Sequence, residues 1–123
     1  MKIKTKDLIR HTLDWAVALC EKKPITLFCG VMLRNGPILS TTHADPLAKW
    51  SPSTYWSQGG PIIERYQLDI EWVTSNRCRA SYDWLDEEFY EGFGPTPLIA
   101  AMRCYVASKL GDEVDVPNEL MEN

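Results

Sequence analysis

The sequence predicts an α+β fold: a small, mostly antiparallel sheet covered on one face by two main helices, at about 7–22 and 97–110. Three observations carry this. Apolar residues recur at helical spacing near both ends of the chain. Two short segments, 68–73 and 77–82, alternate apolar and polar residues around a turn. Loop-forming proline and glycine cluster between the helices and not inside them.

The 123 residues suit a single domain, 1–123, with one core, ending in an acidic tail at 112–123. Apolar content of 45% and charged content of 24% describe a globular chain and not a disordered one. No apolar run approaches the roughly 20 residues that cross a bilayer. The basic start, Met1 to Asp7, lacks the apolar stretch of a secretory signal, so the reading is cytoplasmic. Cys20, Cys29, Cys78 and Cys104 form no C-x-x-C pair and read as free, partly buried thiols. The net charge is −4. Acids concentrate at 83–91 and 111–123, and no basic stripe balances them, which argues against duplex nucleic acid as a partner.

Thr5 is the expected N-cap of the first helix. Leu8, Ile9, Thr12, Leu13, Ala16, Leu19 and Cys20 fall on one face. Arg10 and Asp14 flank it, and Pro24 ends the helix. His11 sits at the stripe edge without a second metal-type ligand nearby, and reads as structural. Ile25 to Leu33 is a β-branched, apolar strand, with Asn35-Gly36 as a turn and Ile38-Leu39 as its return. Residues 41–49 read as loop, and His43 and Asp45 there are weak metal or acid–base signals. Gly60-Pro61 resembles a helix start, giving one or two turns from Ile62 to Tyr66.

Leu68, Ile70 and Trp72 alternate with Asp69 and Glu71. Cys78, Ala80 and Tyr82 alternate with Arg77, Arg79 and Ser81. The two runs form a predicted hairpin across Ser75-Asn76, with acids facing arginines. The acids at 83–91 lack calcium-loop spacing and read as a solvated loop. Thr96 caps the last helix, Pro97 opens it and Gly111 stops it.

The most unusual stretch is Trp50 to Glu64. It holds two prolines, two glycines, three aromatics and four Ser or Thr hydroxyls. Such a stretch makes a loop of defined shape. Tyr55 and Trp56 offer stacking surfaces, and Ser51, Ser53, Thr54, Gln58 and Glu64 offer polar contacts. Gly59 and Gly60 would let amide N–H groups meet an anion at a helix start. These nine residues are the predicted ligand site. No catalytic triad element, P-loop, metal motif or cofactor fingerprint accompanies them.

Ser-Pro-Ser-Thr-x-Trp-x-Gln-Gly-Gly-Pro-Ile-Ile-Glu at 51–64, Gly-Pro-Thr-Pro-Leu-Ile-Ala-Ala-Met-Arg-Cys-Tyr-Val-Ala at 94–107 and Asp-Trp-Ala-Val-Ala at 14–18 together resemble the NinX-type proteins of lambdoid phages and prophages. The resemblance covers most of the chain and is thinnest at 24–50 and 83–93. It implies a small, nonessential phage accessory protein and carries over no catalytic residues.

The functional expectation is a non-enzymatic protein that binds a small anionic ligand such as a nucleotide, and that modulates host physiology or defence. The rival is a module whose exposed aromatics dock on a host protein. An enzyme acting on a nucleotide-like substrate would need Glu64 or a histidine as general base. A double-stranded-RNA-binding domain shares the helix, strands, helix order, but the last helix has only Arg103 and Lys109 as cations. A small domain this rich in aromatics is also expected to leave an apolar patch that supports a homodimer.

Overall fold

The structure, a computed structural model, describes residues 1–23, 25–28, 38–40, 49–84 and 88–121. The chain opens with strand β1 (Lys2–Lys4) and a single 3-10 turn (Thr5–Asp7). Helix α1 (His11–Glu21) follows, later than the expected start near residue 7. Thr5 is not its cap. The Thr5 hydroxyl donates to Gly111 O at 2.6 Å, and its N–H donates to Asp112 O at 2.7 Å. These bonds tie the start of the chain to the end of the last helix. Leu8 drops into the core, Arg10 turns the backbone at φ 55°, and only then does α1 begin. Ile9 N–H donates to Thr12 Oγ1 at 3.0 Å, tying the residue before the helix's N-cap to its first turn.

Strands β2 (Thr26–Phe28) and β3 (Ile38–Ser40) pair antiparallel, with Leu27 opposite Leu39. The expected Asn35-Gly36 turn, residues 29–33 of the expected strand, Cys29, His43 and Asp45 lie outside the described residues.

Helix α2 (Trp56–Tyr66) starts five residues before Pro61, not at it. Gly59 and Gly60 are therefore helical and form no helix-start turn. The helix begins early because the chain winds at Ser51. The Thr54 and Tyr55 N–H groups both donate to Ser51 O, at 3.0 and 2.8 Å. Pro61 is tolerated inside α2 at the loss of one backbone bond.

Strands β4 (Asp69–Thr74) and β5 (Arg77–Trp84) form the expected hairpin, with Ile70 opposite Ala80 and Glu71 opposite Arg79. Arg79 bonds Glu71 at 2.9 Å and Glu91 at 2.8 Å. Strand β6 (Glu88–Gly94) completes a three-stranded sheet in the order β4-β5-β6. This replaces the loop expected at 83–91. The sequence predicts no strand there, because two of the three positions that β6 turns toward α3 are glycines, Gly92 and Gly94, and only Tyr90 offers a packed side chain. A Cβ on Gly92 would lie 2.5 Å from Ala100 O and from Cys104 N, so glycine lets the last helix rest directly on the strand. That helix is α3 (Pro97–Leu110), and Thr96 Oγ1 accepts the Ile99 N–H at 3.2 Å, as the capping reading expects. Gly111, at φ 85°, ends it.

Strand β7 (Glu113–Asp115) then pairs antiparallel with β1, Ile3 opposite Val114. Each of these strands is too short to carry an alternation signal in the sequence. Val114, Val116 and Leu120 are buried, so much of the acidic C-terminal segment is packed. The core joins Leu13, Ala16 and Val17 of α1 to Met102, Tyr105 and Val106 of α3 and to Cys78 and Ala80 of β5. The architecture is the expected α+β class.

Candidate functional site

Residues 49–60 wrap around one carboxylate. Asp14, on α1, is almost wholly buried. Its Oδ1 accepts the Ser53 N–H at 2.9 Å, and its Oδ2 accepts the Ser51 hydroxyl at 3.1 Å. The buried Trp50 ring donates its N–H to Asp14 O at 2.9 Å, and Lys23 Nζ lies 5.2 Å from that ring's centre. Gln58 closes the loop: its Oε1 accepts Ser51 N–H at 2.6 Å, and its Nε2 donates to Lys49 O at 2.7 Å. Burial pushes the Asp14 carboxyl up to about 6, against the lowering effect of the bonds from Ser53 and Ser51.

The nine predicted site residues thus separate into two groups. Ser51, Ser53 and Gln58 spend polar groups on the protein itself. Gly59 packs against the Pro52 carbonyl and Leu98; a Cβ there would come within 2.4 Å of Pro52 O. Thr54, Tyr55, Trp56 and Glu64 are exposed, Trp56 at 56%. Gly60 has open space beside it, and a methyl there would meet Trp56 Cε3 at 3.8 Å. Sequence reasoning placed Asp14 on the helix flank and missed its role. The available signal was a carboxylate one position from Leu13 in a helix with so many apolar neighbours, since such a group needs donors from elsewhere in the chain.

A second feature lies away from this loop. A cleft of about 870 Å³ opens between β1, the end of β6 and α3. Its lining includes Lys4, Lys6, Arg77 and Arg103, with Phe93, Glu91, Asp112 and Glu113. Arg103 is the fixed element. Its Nε donates to Leu8 O at 2.9 Å and its Nη1 to Phe93 O at 2.7 Å. Two backbone carbonyls therefore hold the guanidinium in place, and its other N–H donors remain available. Among the described residues none of the four cleft cations is in an ion pair, whereas Glu91 is already bonded to Arg79. Burial lowers the Arg103 pKa, with the Asp7 charge opposing it, and the group stays cationic. The Arg77 guanidinium lies 4.3 Å from the Phe93 ring centre, giving the wall a flat, polarisable face.

The sequence profile of the family described as Bacteriophage P22, NinX matches residues 4–109. The chain belongs to that family. No curated protein matches it. The span matched to NinX holds Asp14, the loop wrapped around it, α2, the three-stranded sheet and nearly all of α3. It also holds Arg103, Arg77 and Phe93, while Asp112 and Glu113 of the cleft fall beyond it.

In this NinX-family chain, His11 is structural, its Nε2 sharing a 2.8 Å bond with Leu120 O. Among the described residues no group of three or more His, Cys, Asp and Glu is placed to hold a metal ion. Among them, too, no helix is long and apolar enough to cross a membrane.

Proposed function

We propose that this phage protein acts in the host cytoplasm by non-enzymatic binding, and that its ligand is a small anion-bearing molecule such as a nucleotide held in the Arg103 cleft. The observation that carries this reading is the Arg103 guanidinium. It is half-buried, fixed by two carbonyls and free of any carboxylate partner among the described residues. A partly desolvated guanidinium with no carboxylate in direct contact favours an incoming anion, although the more distant Asp7 charge already offsets part of that preference. The cleft volume lies within the roughly 300–1,000 Å³ of small-molecule sites. Arg77 and Phe93 add a stacking surface, and Lys4 and Lys6 add charge at the rim. Modulation of host physiology or defence is then a consequence of withdrawing or sensing that ligand.

Calorimetric titration with inorganic pyrophosphate and with adenosine monophosphate tests this. Binding is expected, weakened by about tenfold or more in Arg103→Lys, which keeps the charge and loses the fork. Lys4→Gln with Lys6→Gln alters only exposed residues and is expected to weaken binding without unfolding the protein. Absence of heat with every anion, together with no small molecule released from purified protein, overturns the reading.

A second reading rests on Tyr55 and Trp56, exposed where α2 begins. Two adjacent aromatics on the surface suit docking on a host protein. A stoichiometric host protein retained from infected cells after nuclease treatment, and lost with Trp56→Ala, supports it.

A further inference from the structure

Helix α2 is the thinly held helix of the fold. Of its eleven residues only Gly59 and Ile62 are buried, against six of eleven in α1 and seven of fourteen in α3. Lifting α2 away therefore exposes little apolar surface. Its sequence is also a poor helix by itself. Gly59 and Gly60 sit in its interior, and Pro61 removes a backbone bond at its middle.

Carboxylates of α1 tie the segment down at both ends. Asp14 holds Ser51 and Ser53 just before the helix. Glu21, two turns further along α1, holds its last turn: Arg65 Nη1 and Nη2 donate to Oε2 and Oε1 at 3.2 and 2.8 Å. The two ties differ. Asp14 is buried, whereas Arg65 is 51% exposed and water competes for its tie. Glu21 Oε2 also accepts the Tyr105 hydroxyl, so Glu21 keeps a partner when Arg65 leaves. Beyond the helix Gln67 takes φ 52°, and the buried Leu68 fixes the chain again at the head of β4.

We propose that α2 is a strap: residues 54–67 open as one unit, between the buried Asp14 clasp and Leu68, while α1, α3 and the three-stranded sheet stay folded. Low burial, a solvent-facing ion pair and helix-breaking residues together describe a segment that opens below the free energy of global unfolding. Ile62, the one wholly buried side chain of α2, gives the strap its closed state. Opening uncovers the Leu98 side of α3, on which Gly59 rests. It also uncovers Tyr105, whose ring centre lies 4.9 Å from that of Tyr66. Tyr55 and Trp56 stand at the start of the strap, so the exposed aromatic pair moves with it.

Native-state amide exchange on the purified full chain, in rising urea below the unfolding transition, tests this. The amides of Gly60 and of Ile62 to Tyr66 are expected to converge on one exchange isotherm. That isotherm is expected at least about a hundredfold faster than the slowest amides of α3, with a shallower urea slope. Arg65→Gln, at an exposed position, is expected to speed all of these amides together, by about two- to fivefold. Amides of α2 that exchange only on the isotherm of α3 overturn the proposal, since the helix then opens only with the whole protein. Rates that grade toward the helix ends without urea dependence also overturn it, since that is fraying and not the opening of a unit. So does an effect of Arg65→Gln confined to the last turn.

Discussion

The carboxylate of Asp14 accepts the backbone N–H of Ser53 at 2.9 Å, joining residues 39 apart in the chain. This bond, with that from the Ser51 hydroxyl, fixes the loop before α2 to the flank of α1. The Ser-Pro-Ser-Thr sequence is thereby a structural clasp, and the aromatic pair that follows it is what reaches solvent.

The Asp14 clasp sets a pH dependence. Its pKa rises from an ordinary 3.8 to about 6, so the folded state holds this proton more tightly than the unfolded chain does. The favourable contribution is full below about 3.8 and is lost as pH rises through about 6. At pH 7 the ionised group costs up to about 3 kcal/mol relative to its protonated form. Asp14→Asn keeps an acceptor for Ser53 N–H and removes the charge. Its melting temperature is expected to match the parent near pH 4 and to exceed it at pH 7. Thermal unfolding at both pH values checks this, and equal melting temperatures at pH 7 would count against a costly buried charge.

Gly59→Ala and Gly60→Ala should act in opposite directions although the residues are neighbours in one helix. A methyl at Gly59 meets the Pro52 carbonyl oxygen, a backbone atom with nowhere to go, and should cost about 1–3 kcal/mol. A methyl at Gly60 meets nothing closer than 3.8 Å and removes helix-interior glycine, so it should stabilise by about 0.4–1 kcal/mol. Urea titration of both variants reads the signs directly.

Trp50 and Trp56 bracket the same loop and differ in burial, 6% against 56% exposed. Trp50→Ala opens a cavity and removes the indole hydrogen bond to Asp14 O, at an expected cost of about 3–5 kcal/mol. Trp56→Ala should change stability by less than about 0.5 kcal/mol. A large melting-temperature drop for Trp56→Ala would refute the exposed placement on which the docking reading depends.

Cys78 and Cys104 are both buried, and burial raises both thiol pKa values, Cys104 to about 12. Cys20 is also raised to about 12, by burial first and then by the charge of Glu21. Thiolate is the reactive form, so all three should resist alkylation at neutral pH in the native protein. Mass spectrometry after iodoacetamide treatment, with and without denaturant, measures the contrast.

The sequence alone determined what local chemistry controls. The β4–β5 hairpin follows from period-two alternation around Ser75-Asn76. Helix α3 follows from the Thr96 cap, Pro97 and the Gly111 stop, because each of these acts within a few residues of itself. Only the tertiary structure decided the rest. Thr5 looked like a cap, but its hydroxyl serves Gly111, 106 residues away, which pulls α1's start to His11. The acids at 83–91 looked like a solvated loop, but Glu88 to Gly94 form a strand whose Gly92 lets α3 rest directly on it. Pro61 looked like a helix start, but the turn at Ser51 had already begun the helix at Trp56. Asp14 looked like a residue on the flank of the apolar stripe, but it is buried and a loop far along the chain supplies its donors. In each case the deciding partner is remote in sequence, and the free energy of one long-range contact or hydrogen bond exceeds the small local preference it overrides.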